Sequence, residues 1–200
     1  MVEEYIEAER GISSCPSAEV FLSERGPKVT YACDQIVTET GNFLGITLGK
    51  EALNKSIKNK INRISFLIGK KFWELGYRGF FDIDFVLSKK DNKPYIIETN
   101  MRRTGGTHVF DTARCIFGND WENKAFILSQ DSFCYGNKIL SEKVILEKMK
   151  DILFPMDKNK KGIIVSIINK WKPTLGFIII EESADKALEV YFQMKEVLKN

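Results

Sequence analysis

Gly79-Phe80-Phe81-Asp82-Ile83-Asp84-Phe85-Val86-Leu87, then Ser88-Lys89-Lys90-Asp91-Asn92-Lys93, then Pro94-Tyr95-Ile96-Ile97-Glu98-Thr99-Asn100 is the stretch that decides the fold class. The first segment alternates as a strand, the second has the composition of a turn, and the third reads as a returning strand. Side chains two apart share a face of a strand. Asp82, Asp84 and Val86 therefore point one way, and Ile96, Glu98 and Asn100 share a face on the return. If the strands pair as a hairpin, Asp84, Glu98 and Asn100 converge. Two carboxylates and one amide carbonyl are hard oxygen donors, the kind Mg²⁺ accepts while it keeps waters and binds substrate phosphates. Arg102 and Arg103 follow at once, and guanidinium groups suit phosphate oxygens. Gly105 and Gly106 let a backbone pass close to a ligand. The plainer alternative is a solvated surface hairpin. Against it, Tyr95-Ile96-Ile97 and the flanks Ile83 and Phe85 predict a half-buried pair, where unpartnered carboxylates are costly.

Upstream, residues 18–22 and 28–33 read as short strands around the turn Ser23-Glu24-Arg25-Gly26-Pro27. A glycine-containing loop is expected from 38 to 49. Within it, Gly45-Ile46-Thr47-Leu48-Gly49-Lys50 imitates a phosphate loop, but has three residues between its glycines where four are required, and Glu51 where Ser or Thr is required. From 51 to 75 the apolar positions Leu53, Ile57, Ile61, Ile64, Ile68, Phe72 and Leu75 keep one narrow helical stripe, and Gly76 is a natural stop. Phe66 and Trp73 lie off that stripe and predict a surface to be covered. Residues 110–160 read as mainly helical and irregular. The tail reads as strand 163–168, a turn through Trp171-Lys172-Pro173-Thr174, strand 177–180 and helix 184–198.

Composition sets the outer limits. The chain has 200 residues, 44% hydrophobic and 28% charged, with 30 Lys+Arg against 27 Asp+Glu. A formal charge of +3 is too small to make nucleic acid the default partner. No segment approaches the roughly 20 apolar residues of a membrane span, and the acidic start Val2-Glu3-Glu4-Tyr5-Ile6-Glu7 is unlike an export signal. Cys15, Cys33, Cys115 and Cys134 include no Cys-x-x-Cys pair, and His108 is the lone histidine. Reduced thiols in a cytoplasmic protein are expected, without a structural zinc site.

Gly79-x-x-x-x-Asp84 followed by Glu98-x-Asn100-x-Arg102 resembles the end of the ATP-grasp fold, as in D-alanine–D-alanine ligase and biotin carboxylase. The run from Glu98 through Thr104-Gly105-Gly106-Thr107-His108 is similar to a narrower group, the pheganomycin-type peptide ligases. Ser14-Cys15-Pro16-Ser17 with Asp34-Gln35-Ile36 resembles that group's Ser-Pro-Ser strand and Asp-Gln turn. Gly162-Ile163-Ile164-Val165 through Ala184-Asp185-Lys186-Ala187 resembles its closing β-β-α element. There are departures: one threonine precedes the glycines, Cys15 replaces a serine, and Glu19 stands where glutamine is usual.

The resemblance implies an α+β fold, the C-terminal lobe of an ATP-grasp enzyme, with an antiparallel sheet packed with helices. Residues 1–118 would form the lobe core with the metal hairpin, and 119–200 a helical connection and β-β-α tail. It implies ATP and Mg²⁺ as cofactors, with Asp84, Glu98 and Asn100 as metal ligands. Arg102 would act on the phosphates or acyl phosphate, and Arg103 and His108 on the carboxylate or amine substrate. Residues 2–6 resemble the hinge strand that passes the adenine, which assigns Glu3, Glu4 and Ile6 to nucleotide binding. The lobe that should precede this hinge is missing, so the chain is expected to be a C-terminal part of a peptide-bond-forming ligase. It would be incomplete without an N-terminal lobe, a partner chain or a homodimer. Two rival classes are a non-catalytic ATP-grasp-derived interaction module and a single-strand nucleic-acid binder using Trp73, Trp171 and the lysine-rich helix.

Overall fold

The computed structural model describes residues 4–9, 11, 13–38, 40–155, 158 and 160–199. Among the described residues, eight strands form one antiparallel sheet: β1 (Pro16–Ser23), β2 (Gly26–Val37), β3 (Phe43–Gly49), β4 (Gly79–Leu87), β5 (Pro94–Asn100), β6 (Phe126–Cys134), β7 (Gly162–Ile168) and β8 (Thr174–Glu181). Their spatial order is β5-β4-β1-β2-β3-β6-β8-β7. The helices are α1 (Lys55–Glu74), α2 (Gly106–Phe117), α3 (Trp121–Lys124), α4 (Glu142–Met149) and α5 (Ala184–Leu198).

Alternation along the strands sorts the cores. On one face, α1 lays Ile57 and Ile61 over Ala18, Val20, Leu22, Phe81, Ile83 and Phe85. At the far end of that face, α4 and α5 cover Phe126, Leu128, Phe177 and Ile179. The opposite face is closed only in part: α2 and Trp121 cover Ile46, Leu48, Ile127, Ile178 and Ile180. Over β5, β4, β1 and β2 that second face is polar and open, and the candidate site lies there.

Helix α1 follows its predicted stripe. Asn54 caps it by accepting from the Ser56 N–H, and Gly76 (φ 91°) lies just past its end. The helix sits close on the sheet: a Cβ on Gly69 would lie 3.1 Å from both Pro27 Cβ and Val20 Cγ1. Trp73 is not an uncovered surface, contrary to expectation. Its indole N–H donates to the Ser23 carbonyl at 2.8 Å, and the Arg78 guanidinium lies 4.8 Å from its ring centroid. Phe66 remains 45% exposed.

Two further expectations are corrected. The stretch read as a loop from 38 to 49 contains β3, which pairs with β2 and β6. Gly45 is required there, because a Cβ would collide with the Ser129 carbonyl. The region read as helical and irregular contains β6, which bridges β3 and β8 in the middle of the sheet. Phe126, Ile127 and Leu128 are all buried, one to each side in turn, so the strand shows no apolar–polar alternation to be read. The β-β-α tail stands as expected.

Candidate functional site

Antiparallel pairing of β4 with β5 sets Asp84 opposite Glu98 and Asp82 opposite Asn100. A register shift at Asp84/Phe85 puts Ile96 opposite Phe85, so Ile96 does not share the face of Glu98 as plain alternation required. The Asn100 side-chain amide donates to Asp84 Oδ2 at 2.9 Å, and Gln35 from β2 donates to Asp84 Oδ1 at 2.6 Å. Asp84, Glu98, Asn100 and Arg102 line a cavity of about 350 Å³, together with Ser17, Tyr31, Phe43, Thr104 and Gly105. Arg102 Nη2 lies 3.4 Å from Asn100 Oδ1.

A second tier of carboxylates sits at and beneath the cavity floor, Asp82 lining the cavity and Glu19 lying beyond it. Asp82 is 3% exposed and accepts from the Ser17 and Thr104 hydroxyls, both at 2.5 Å. Glu19 is 0% exposed and accepts from Thr107 at 2.5 Å and Thr30 at 2.9 Å. The two threonines bracket the glycines of the loop that continues from β5. They also lock each other, since the Thr104 N–H donates to Thr107 Oγ1 at 3.2 Å and the Thr107 N–H to the Thr104 carbonyl at 3.1 Å. Two buried acids thus tie down the segment that carries Arg102. Gly106 is needed at this point, because a Cβ there would run into the Tyr31 ring. Asp82 is thus an anchor for the loop beside Asp84.

Burial pushes the Asp84 carboxyl up to about 6, with the charges of Asp82 and Glu98 adding to the effect. Burial raises Glu19 and Asp82 as well. Arg102 is the one cation among the described residues that line the cavity. Among the described residues no cluster of three or more His, Cys, Asp and Glu side chains has metal-binding geometry. The donor set that does converge, two carboxylates and an amide with excess negative charge, fits a hydrated divalent cation such as Mg²⁺.

Burial also holds Asp34 up at about 6, although it accepts from the Ser13 and Cys15 N–H groups. An acid whose folded pKa exceeds its ordinary 3.8 binds more protons folded than unfolded, so its contribution to stability falls as pH rises through about 6. Without metal, these two groups therefore favour thermal stability at about pH 5 over about pH 7.5. Millimolar Mg²⁺ should raise Tm near neutrality and much less under acid conditions, where protons compete for Asp84. Equal Mg²⁺ shifts at the two pH values count against Asp84 as a ligand.

The remaining predicted residues lie elsewhere. Arg103 stacks on Phe80, its guanidinium 4.2 Å from the ring centroid, and pairs with Asp111 at 3.4 Å. His108 is exposed in the first turn of α2. Neither lines the cavity, and neither do Glu4 and Ile6; Glu3 lies outside the described residues. Just after Ile6, the chain runs beside the end of β4: the Glu9 N–H donates to the Leu87 carbonyl at 2.7 Å, and the Lys89 N–H to that of Glu7 at 3.0 Å. Gln35 and the threonine anchors had no assigned role in the sequence reading. Gln35 gave a weak signal as a polar residue within β2, whereas the threonines, in the loop and the first turn of α2, were marked only by flanking the two glycines.

Comparison with solved structures places the fold. The chain is similar to the phosphoribosylaminoimidazole carboxylase ATPase subunit from Aquifex aeolicus, with TM-score 0.60 and 17% identity over 99% of this chain and 58% of that one. Biotin carboxylase from Campylobacter jejuni gives TM-score 0.63 and 12% identity, over 95% of this chain and 50% of that one. A putative ATP-grasp superfamily protein from Archaeoglobus fulgidus gives 0.51 and 15%, over 90% and 48%. The architecture is thus the expected ATP-grasp lobe, and the chain spans about half the length of the structures it resembles. No protein-family model matches the chain, and no curated protein is similar to it in sequence. All four cysteines are free, and no described helix is long and apolar enough to cross a membrane.

Proposed function

We propose that the chain is the C-terminal part of an ATP-dependent carboxylate–amine ligase that forms a peptide-type bond through an acyl phosphate. The observation that carries this reading is the convergence of Asp84, Glu98, Asn100 and Arg102 on one cavity, in a fold shared with ATP-using carboxylases. Asp84, Glu98 and Asn100 would hold Mg²⁺, which when bound neutralises charge on the transferred phosphoryl group. Arg102 supplies a fixed positive charge on the same wall, where a preorganised donor favours charge that develops during the reaction. The Thr104 and Thr107 anchors hold that loop without reorganisation. Gln35 and Asn100 orient the Asp84 carboxylate, as outer hydrogen bonds do for metal ligands.

The cavity is open, and water screens charge–charge contacts in an open site. The lobe that would close over ATP and contribute further cations is proposed to come from a segment or chain beyond these residues. The purified chain alone should therefore bind Mg-ATP weakly and consume little ATP with a panel of amino acids and amines. Robust Mg²⁺-dependent turnover by a monomer overturns the half-site reading. A lack of any Mg-ATP binding, even with an upstream lobe supplied, leaves the non-catalytic interaction module as the better account. The nucleic-acid reading loses one of its platforms, because Trp73 is engaged by Ser23 and Arg78.

A further inference from the structure

The cavity that holds the hairpin acids has two unlike ends. Asp82, Asp84, Glu98, Asn100 and Arg102 stand at the end nearest β4 and β5. At the other end, Val37, Gly41 and Phe43 line it from the β2–β3 hairpin, with Ile46 buried behind them. This second wall carries no charged side chain among the described residues.

Phe43 reaches the cavity through a break in the strand. Ile46 and Leu48 belong to the core under α2, so two-residue spacing puts Leu44 on that side of β3 and Phe43 on the other. The pairing of β3 with β2 shifts register at this point: Gly45 lies opposite Ile36 and Phe43 opposite Val37, with Leu44 left over. Val37 follows Tyr31, Cys33 and Gln35 at two-residue spacing, and all four line the cavity. The shift turns Phe43 onto the cavity side next to Val37, as such irregularities often re-aim a side chain beside a functional site.

The wall is held in place by the protein itself. In the turn that joins the strands, the Thr38 N–H donates to the Asn42 carbonyl at 2.9 Å and the Asn42 N–H to Thr38 Oγ1 at 3.0 Å. The edge of the Phe43 ring rests on the arginine loop, where a Cβ on Gly105 would crowd Cε1 and Cζ at 3.2 Å and 3.3 Å. Phe43 is nevertheless 44% exposed. A fixed, accessible ring in a cavity is surface that an apolar ligand group gains by covering. A charged group there would leave water and find no polar side chain on this wall.

We propose that Val37, Gly41 and Phe43 form a subsite for an uncharged apolar group, and that the carboxylate substrate carries such a group, an aromatic or branched aliphatic side chain. A substrate whose carboxylate sits at the metal end would extend that side chain along the cavity toward Phe43. Treating the group as part of a substrate rests on the ligase reading; the preference of the wall for apolar matter does not. The test is a titration of the ¹⁵N-labelled chain with N-acetylphenylalaninamide, without metal or nucleotide, followed by amide chemical shifts. N-acetylglycinamide and N-acetylserinamide, equally uncharged, serve as controls. A saturable response of the Val37, Gly41 and Phe43 amides is expected with the phenylalanine probe alone. Phe43→Ala should raise Kd by about fivefold or more. Phe66→Ala removes a ring of like exposure (45%) from α1, on the other face of the sheet, and should leave Kd unchanged.

The same spectra report whether each variant folds. Val37→Thr keeps the shape of the wall and adds a hydroxyl, so it too should weaken binding, and it decides the matter if Phe43→Ala does not fold. Unchanged affinity in the folded wall variants, or an equal response to the glycine probe, overturns the subsite. With an upstream lobe and Mg-ATP supplied, ATP consumption should favour phenylalanine or leucine over glycine as the carboxylate; equal consumption overturns the substrate assignment. A chain that binds the phenylalanine probe here but never Mg-ATP keeps the subsite and loses the ligase reading. The reverse outcome loses the subsite alone.

Discussion

Glu98→Gln should lower Mg²⁺-dependent ATP affinity or turnover, measured with an upstream lobe supplied, by about a hundredfold or more, the scale of losing one electrostatic stabiliser. The substitution removes one negative charge and almost no volume. Glu98 is exposed and pairs with Asp84 across the hairpin, so the fold has little to lose from the change. Tm without metal should stay level or rise slightly, since one of the charges that repels Asp84 is gone. A large loss of Mg-ATP response with unchanged Tm isolates the ligand role. Full response at saturating Mg²⁺ shows that Glu98 is not a ligand, and the site would then have to work through Asp84 and Asn100 alone.

The second large effect is on stability. Thr107→Val deletes the hydroxyl that donates to Glu19 at 2.5 Å and accepts from the Thr104 N–H at 3.2 Å. Glu19 is wholly buried and would keep only Thr30. A buried carboxylate stripped of one of two donors, with a backbone N–H orphaned beside it, should cost about 2–4 kcal/mol. For a chain of this size that corresponds to a fall in Tm of roughly 5–15 °C. Glu19→Gln in the same background should recover part of the loss, because a neutral amide is cheaper to leave partly unpaired. If Thr107→Val is thermally neutral, the network beneath the arginine loop is not what holds it.

How far the sequence reaches depends on which physical signal each element carries. Strand β4 and helix α1 were legible because polar and apolar residues alternate along β4 and the apolar residues of α1 keep one stripe, which writes a period of 2 or 3.6 into the residue order; β5, exposed or half-exposed along its whole length, was read from the turn before it and not as the half-buried strand its apolar residues suggested. Strand β6 was not legible, because both its faces are covered and its apolar run has no period. Strand β3 was hidden by glycines that serve close strand approach at Ser129, a contact between residues far apart in the chain. The register shifts are equally invisible, which is why Ile96 was placed on the wrong face. In the site, the converging hairpin residues followed from parity plus a short turn. Gln35 and Glu19 reach it from β2 and β1, and only the strand order brings them there.

Among the described residues, strand β5 has a neighbour on one side only, and it carries Glu98 and Asn100 while Asp84 sits on β4. An outermost strand detaches locally at a lower free energy than the whole domain unfolds. A cation that bridges the two strands would act as a clasp, because its binding free energy and the closing of the hairpin are linked quantities. The arginine loop continues directly from β5, so the clasp would also restrain Arg102. Occupancy and order would then rise together: an empty hairpin breathes at its rim, and a filled one presents its guanidinium group already set for phosphate.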